Sequence, residues 1–250
     1  MPAATSKIAI NKDKQSVNGA DANPISLRAV GVLEIASVIA SVFLTTWVLI
    51  PLQPEPRWLI ALPGLFASAL MLNSHRIRGD RFSEVGVSAQ NFGRALRLVA
   101  LPTLVACGLI AALGFATNSF HLTSHFRTNL LVLPVWAVIQ QYVLQAFIYR
   151  RMRWLFVTES ASPEMQRRQV RLAILATAAI FSLTHLPNLM LMLLTLLGGL
   201  MWSWVYERAP NLFALGLSHA VISLMLMTSA PAWLLPSMSV GYKHFLYQKF

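Results

Sequence analysis

The sequence IQQYVLQAFIYRRMRW, residues 139–154, combines two patterns that usually occur in different kinds of segment. An apolar run leads into it from residue 130, and three arginines, Arg150, Arg151 and Arg153, lie at its end. A run of about 20 apolar residues is long enough for a helix to cross the ~30 Å hydrocarbon core of a membrane. Yet three primary amides, those of Gln140, Gln141 and Gln145, lie inside the run. The stretch predicts a membrane-spanning helix that carries polar groups at membrane depth.

The composition of the whole chain also indicates a membrane protein. Of its 250 residues, 56% are hydrophobic and only 12% are charged, whereas a soluble domain has roughly a quarter of its residues charged. The expected fold is therefore all-α, a polytopic membrane helix bundle of seven to eight spans. The seven clearest spans are residues 27–50, 58–72, 98–115, 130–149, 172–186, 188–206 and 212–230.

The basic residues are clustered between these spans, in the segments 73–97, 150–171 and 207–210. Because basic loops stay on the cytoplasmic side, this distribution predicts a cytoplasmic amino terminus and favours a bacterial cytoplasmic (inner) membrane. Residues 1–24 are polar and predict a disordered cytoplasmic tail, so that residues 25–250 form a single transmembrane domain. The formal charge of +11 does not indicate a nucleic-acid partner, because no soluble basic face or known binding motif accompanies it.

Polar side chains at membrane depth occur on three of the predicted spans. Such residues often hold helices together by hydrogen bonds, but several of them at comparable depth also indicate a shared polar cavity. Residues four apart share a helix face, which groups the polar residues within a span. They are Gln140, Gln141 and Gln145 on the fourth span, His185 at the end of the fifth, and Ser218, His219 and Ser223 on the seventh.

The order and spacing of these residues resemble the CAAX-protease and bacteriocin-processing family, the glutamic-type intramembrane proteases. That family has E-E-x-x-x-R on one span, F-x-x-x-H on the next, and H-x-x-x-N or H-x-x-x-D on a later one. Here QQYVLQ, FSLTH and HAVIS stand at the corresponding places. The resemblance covers about residues 76–230 and implies the fold of an intramembrane endopeptidase.

The resemblance also implies a role for each position. In the family, the first glutamate and the F-x-x-x-H histidine are thought to activate the attacking water. The later histidine and its Asn or Asp partner are thought to stabilise the oxyanion. By position, Gln140 replaces the first glutamate, Gln141 the second and Gln145 the arginine, while His185 is the base-assisting histidine, His219 the oxyanion donor and Ser223 its companion.

The three glutamines place a neutral amide where the family has a charged side chain. A glutamine amide cannot accept a proton near neutral pH, so Gln140 cannot be a general base. General-base catalysis typically contributes 10²–10⁴-fold to a rate. The same changes remove two possible negative charges and one positive charge together, which avoids an unpaired buried charge. The pattern favours a neutral polar cavity that has been maintained.

Three functions remain open from the sequence. The preferred one is a catalytically impaired peptidase homologue that binds a lipidated peptide or hydrophobic segment. The alternatives are an active intramembrane endopeptidase that uses His185 and His219, and a different enzyme acting on a polyprenyl-like substrate. No cofactor is expected, because a catalytic zinc ion normally has three protein ligands. Membrane lipids are the expected general partners.

Overall fold

The computed structural model describes residues 24–122 and 126–247 of the chain. Most of the tail predicted for residues 1–24 therefore lies outside the described residues. Within the described ranges the regular structure is helical and no strand occurs. The expected all-α bundle is confirmed.

Eight helices follow one another in the described part of the chain. α1 begins as Pro24–Phe43, widens into the π-helical turns Leu44–Leu49 and ends as Ile50–Leu52. The others are α2 (Arg57–Arg78), α3 (Phe92–Ala116), α4 (Phe126–Phe156), α5 (Pro163–Leu183), α6 (Leu189–Arg208), α7 (Leu212–Ser229) and α8 (Tyr242–Tyr247). α4 contains the π-helical segment Tyr142–Tyr149 directly after Gln141.

Among the described helices, six are long and apolar enough to cross a membrane, namely α1, α2, α3, α4, α6 and α7. The sequence predicts seven or eight spans, and the difference concerns α5. Its first half carries Arg167, Arg168 and Arg171. Only its second half is apolar, and this half is shorter than a complete span. α5 is therefore part of the bundle without meeting the length and composition of a membrane-crossing helix.

The basic segment after the glutamines differs from the prediction. A loop is expected from residue 150, but α4 continues to Phe156. Arg150 and Arg151 are consequently helical and only 9% and 3% exposed. Their burial is possible because Glu34 of α1 and Asp80, which follows α2, pair with them. The predicted loop 73–97 is likewise shorter, since α2 ends at Arg78 and α3 begins at Phe92.

Two glycines allow the helices that carry the predicted site to approach closely. A Cβ atom at Gly216 of α7 would lie 2.5 Å from Cγ2 and 3.1 Å from Cα of Val138 on α4. A Cβ atom at Gly199 of α6 would lie 3.0 Å from Cα of Ala178 on α5. Small residues at helix contacts permit this approach in membrane bundles. α4 therefore packs against α7, and α5 packs against α6.

Two buried asparagines begin α6 and α7 and tie other segments to them. The side-chain oxygens of Asn188 and Asn211 accept hydrogen bonds from backbone N–H groups in the first turns of α6 and α7. The amide of Asn188 also donates to the carbonyl of Ser237 at 2.9 Å. The amide of Asn211 donates to the carbonyl of Ser88 at 2.7 Å. These bonds attach the segment before α8 and the loop between α2 and α3 to the bundle.

Candidate functional site

Gln141 and His219 meet where α4 packs on α7. Gln141 has no exposed surface, and His219 is 8% exposed. The amide nitrogen Nε2 of Gln141 lies 3.4 Å from Nδ1 of His219. Because an amide nitrogen can only donate, Nδ1 accepts this long hydrogen bond. The imidazole of His219 then carries its proton on Nε2.

Phe181 of α5 connects His219 with the second predicted histidine. The Phe181 ring lies edge-on to His185, with centroids 4.8 Å apart, and edge-on to His219, with centroids 6.0 Å apart. The two imidazole centroids are therefore no farther apart than the sum of these two distances. His185 follows α5 in the turn to α6, so the FSLTH spacing brings its imidazole towards α7.

The two histidines are held in opposite tautomers when both are neutral. Nδ1 of His185 lies 2.7 Å from the backbone carbonyl of Phe181. A carbonyl only accepts, so Nδ1 of His185 carries the proton and Nε2 has a lone pair. In His219 the arrangement is reversed, and Nε2–H is a donor. One imidazole thus offers an acceptor for a water proton, and the other offers a donor for a carbonyl or oxyanion.

Trp202 of α6 is a site residue that the sequence analysis missed. Its ring lies against His219, with centroids 4.4 Å apart and planes inclined by 31°. Its indole N–H donates to the hydroxyl of Ser218 at 3.1 Å, and this hydroxyl lies 2.7 Å from that of Thr103 on α3. These contacts fix the face of the His219 ring. An aromatic residue in an apolar span is ordinarily a packing residue, so the sequence offers no signal for this role.

The other predicted site residues lie on the same helices. Gln145 has no exposed surface, and its amide oxygen and nitrogen have no hydrogen-bond partner among the described residues. Ser223 is 8% exposed and lies one turn after His219. Gln140 is half-buried and is rotated by about 100° from Gln141. The structure thus brings Gln141 to His219 and places both histidines beside Phe181.

The buried carboxylates are engaged elsewhere. Glu34 and Asp80 pair with arginines near the ends of α2 and α4. Glu207 pairs with Arg153 and accepts a hydrogen bond from Tyr149. In residues 24–122 and 126–247, no group of three His, Cys, Asp or Glu side chains is arranged to hold a metal ion. The chemistry around Phe181 therefore depends on imidazoles and neutral amides.

A comparison with protein families relates the segment that carries this arrangement to a known family. Residues 126–225 match the family described as Rce1-like, type II CAAX prenyl endopeptidase. This segment, 100 of the 250 residues, is similar to that family. The match runs from the first residue of α4 into α7, so it includes the three segments that carry the glutamines and both histidines.

The resemblance seen in the sequence is thereby confirmed for this CAAX-protease-like protein. No curated protein and no solved structure matches the chain significantly. The family match covers the segment that carries the site and leaves α1 to α3 outside it. The catalytic roles assigned to the six residues by position stay predictions.

Proposed function

We propose that this CAAX-protease-like membrane protein is a peptidase homologue with impaired catalysis, which binds a lipidated peptide or hydrophobic segment in its neutral polar cavity. One observation carries the proposal: the amide of Gln141, at the position of the family's second glutamate, contacts His219 at 3.4 Å. With Gln140 at the first position, the cavity holds two amides where the family has two carboxylates.

The arrangement supports binding more strongly than hydrolysis. A carboxylate is the proton acceptor that activates water in such a site, and an amide has no comparable basicity. The hydrogen-bond donor of the site remains, because Nε2–H of His219 is available to a peptide carbonyl when Nδ1 accepts the bond from Gln141. The protein can therefore bind a peptide through its carbonyl and cleave it only slowly.

The surroundings favour a ligand with an apolar part. Phe181 and Trp202 both contact the His219 ring, with centroids 6.0 and 4.4 Å from it. A peptide that carries a lipid or an apolar segment combines a carbonyl for His219 with apolar surface for these rings. Burial of apolar surface stabilises such a complex by about 25 cal/mol per Å² before the costs of association.

We also propose that the amino terminus faces the cytoplasm and that the membrane is the inner membrane of a bacterium. The support is the distribution of arginine, which is concentrated in alternate connections between the helices. Under this orientation the ends of α2 and α4 that carry arginine lie on the cytoplasmic side.

The alternative function, an active endopeptidase, depends on His185, whose Nε2 lone pair can accept a proton.

The test of the proposal uses the full chain in lipid nanodiscs with pairs of peptides that differ only in an S-prenyl group. Fluorescence anisotropy measures binding, and mass spectrometry measures cleavage. We expect the prenylated peptide to bind at least tenfold more tightly than its unmodified partner, with negligible cleavage.

His219→Ala removes the donor and is expected to weaken binding of the prenylated peptide. His121→Ala is the matched control, because His121 lies in an exposed turn where its ring bonds a nearby backbone carbonyl. Robust cleavage by the natural sequence that His185→Ala abolishes would overturn the proposal and establish the endopeptidase alternative. Conversion of a polyprenyl-like compound without peptide binding would establish the third function.

A further inference from the structure

A second cluster of polar side chains lies where α1 meets the ends of α2 and α4. We call it the arginine cluster, and it comprises Glu34, His75, Arg78, Asp80, Arg150 and Arg151. Arg78 and Arg151 donate to the Glu34 carboxylate at 2.6 and 3.2 Å. Arg150 donates to Asp80 at 2.5 Å. Three elements of the bundle are therefore joined by ion pairs that are mostly shielded from water.

The charges of the arginine cluster do not balance. Three guanidinium groups face two carboxylates, so one positive charge is in excess while His75 is neutral. Glu84 adds only its backbone carbonyl, which accepts a hydrogen bond from Arg150 at 3.4 Å. A buried charge without a partner is unfavourable. One additional anionic group would complete the cluster.

Two buried donors point to the place of that group. The Tyr142 hydroxyl and Nε of Arg150 have no hydrogen-bond partner among the described residues. Nε2 of His75 is also without one there, but Nδ1–H of the neutral ring donates to Asp80, so this Nε2 is an acceptor. Buried polar groups in proteins are nearly always hydrogen-bonded. The hydroxyl and Nε–H are donors, so the missing partner is an acceptor.

The two residues that carry these donors both contact the pair formed by His75 and Asp80. Asp80 bonds Nδ1 of His75 at 2.8 Å and Arg150 at 2.5 Å. The Tyr142 ring lies edge-on to His75 with centroids 5.8 Å apart. A group placed beside the His75–Asp80 pair is therefore approached from α4 by both the phenol and the guanidinium.

We propose that the arginine cluster binds the phosphate of a membrane lipid. A phosphate diester supplies one negative charge and several acceptor oxygens, which suit arginine and hydroxyl donors. Apolar side chains next to the cluster are exposed, including Leu33 beside Glu34 (64%) and Ile77 beside Arg78 (76%). These side chains on α1 and α2 offer a surface along which acyl chains lie. Free phosphate shares the headgroup chemistry but lacks this apolar contact.

The decisive variant is Tyr142→Phe. It removes a hydroxyl that has no hydrogen-bond partner among the described residues, so the lipid-free protein should fold with equal or higher stability. If the hydroxyl binds phosphate, apparent lipid affinity should fall by about tenfold or more, as for a hydrogen bond to a charged group. Tyr149→Phe is the matched control: its hydroxyl donates to Glu207 at 2.7 Å. That change should lower basal stability and leave lipid affinity unaltered.

A second pair of variants tests the guanidinium. Arg150→Lys keeps the positive charge near Asp80 but removes Nε, so lipid affinity is expected to fall about tenfold as well. Arg153→Lys changes an arginine of α4 that pairs with Glu207 outside the cluster. Lipid affinity should be unchanged in Arg153→Lys.

The measurement is the thermal unfolding midpoint of the full chain in detergent, titrated with defined additives. Phosphatidylglycerol is expected to raise the midpoint saturably in the natural sequence, whereas diacylglycerol is not. An equal rise with inorganic phosphate alone would assign the site to free phosphate and overturn the lipid assignment. No rise with either compound, or equal phosphatidylglycerol affinity in the natural sequence and Tyr142→Phe, would overturn the site.

Discussion

Nε2 of Gln141 donates to Nδ1 of His219 across the contact between α4 and α7. This bond fixes the proton of a neutral His219 on Nε2. A glutamate at position 141 would accept from Nδ1–H, so that a neutral ring would have a lone pair on Nε2 and only a protonated ring would also donate from Nε2. A single exchange of amide for carboxylate thus changes both the charge of the cavity and the atom that His219 presents to a ligand.

The first prediction is that restoring the charged pattern restores hydrolysis. The variant combines Gln140→Glu, Gln141→Glu and Gln145→Arg, so that a proton acceptor returns with its balancing positive charge. Cleavage of a prenylated peptide, followed by mass spectrometry, should rise by about 10²-fold or more, as expected for a general base.

The matched control for the triple variant adds His185→Ala, which should remove the gain if His185 assists the new base. A triple variant that folds, binds peptide and cleaves no faster than the natural sequence would contradict the assigned positions. High activity in the natural sequence with little gain in the triple variant would indicate a working enzyme already.

The second prediction concerns the neutrality of the cavity. Gln145 is fully buried, and its amide has no hydrogen-bond partner among the described residues. Gln145→Leu should leave the free energy of unfolding unchanged or raise it, because it removes unsatisfied polar atoms. Gln145→Arg alone should lower it by about 3 kcal/mol or more, because the new charge has no acid beside it. Denaturant unfolding in detergent micelles compares the two variants.

A Gln145→Arg variant as stable as the natural protein would show that a charge is tolerated there and would remove the argument for a neutral cavity. Replacing Gln140, Gln141 and Gln145 together by Leu is a further check. Each amide contributes only ~1 kcal/mol net, so this triple variant should still fold. Loss of folding would instead assign the amides a dominant structural role.

The sequence singled out Gln141, His185 and His219 because their spacing resembles a family pattern, and the structure brings Gln141 to His219 and both histidines beside Phe181. The sequence did not reveal the role of Trp202, since contacts between α6 and α7 depend on how the helices pack. The ion pairs of Arg150 and Arg151 were also missed. Their partners lie 70 and 117 residues away in the chain, and local charge patterns indicate only a basic loop.

The third prediction concerns the contact that brings Gln141 to His219. Gly216→Ala would place a Cβ atom 2.5 Å from Cγ2 of Val138, with the Val138 backbone at 3.1 Å. α7 must then move away from α4, and we expect a loss of about 1–3 kcal/mol in stability, typical of overpacking. Weaker binding of the prenylated peptide should accompany it.

Gly108→Ala is the control for the glycine variant. A Cβ atom at Gly108 on α3 would meet no described atom within 4 Å. Alanine has the higher helix propensity, by roughly 1 kcal/mol in soluble helices, so this change should be neutral or stabilising. Equal behaviour of the two alanine variants would contradict the close approach of α4 and α7.

The last prediction is a pH dependence that arises from Asp80 in the arginine cluster. Burial raises the pKa of this carboxyl, but the hydrogen bond from His75 and the charges of Arg150 and Arg151 outweigh burial and lower the pKa to about 2 from 3.8. A carboxyl whose pKa is lower in the folded state stabilises the protein above its unfolded pKa. That contribution disappears as the pH falls through the folded value. For this shift it is about 2 kcal/mol at neutral pH.

Asp80→Asn tests this dependence by thermal unfolding in detergent between pH 6 and pH 2. The natural sequence should lose stability mainly between about pH 4 and pH 2, whereas Asp80→Asn should start lower and change less over that window. Glu164→Gln is the control, since Glu164 is exposed and pairs only with Arg168 one turn away among its described contacts. An exposed pair of this kind contributes little. If Asp80→Asn and Glu164→Gln had the same pH profile, the Asp80 carboxylate would not be a stabilising charge of the cluster.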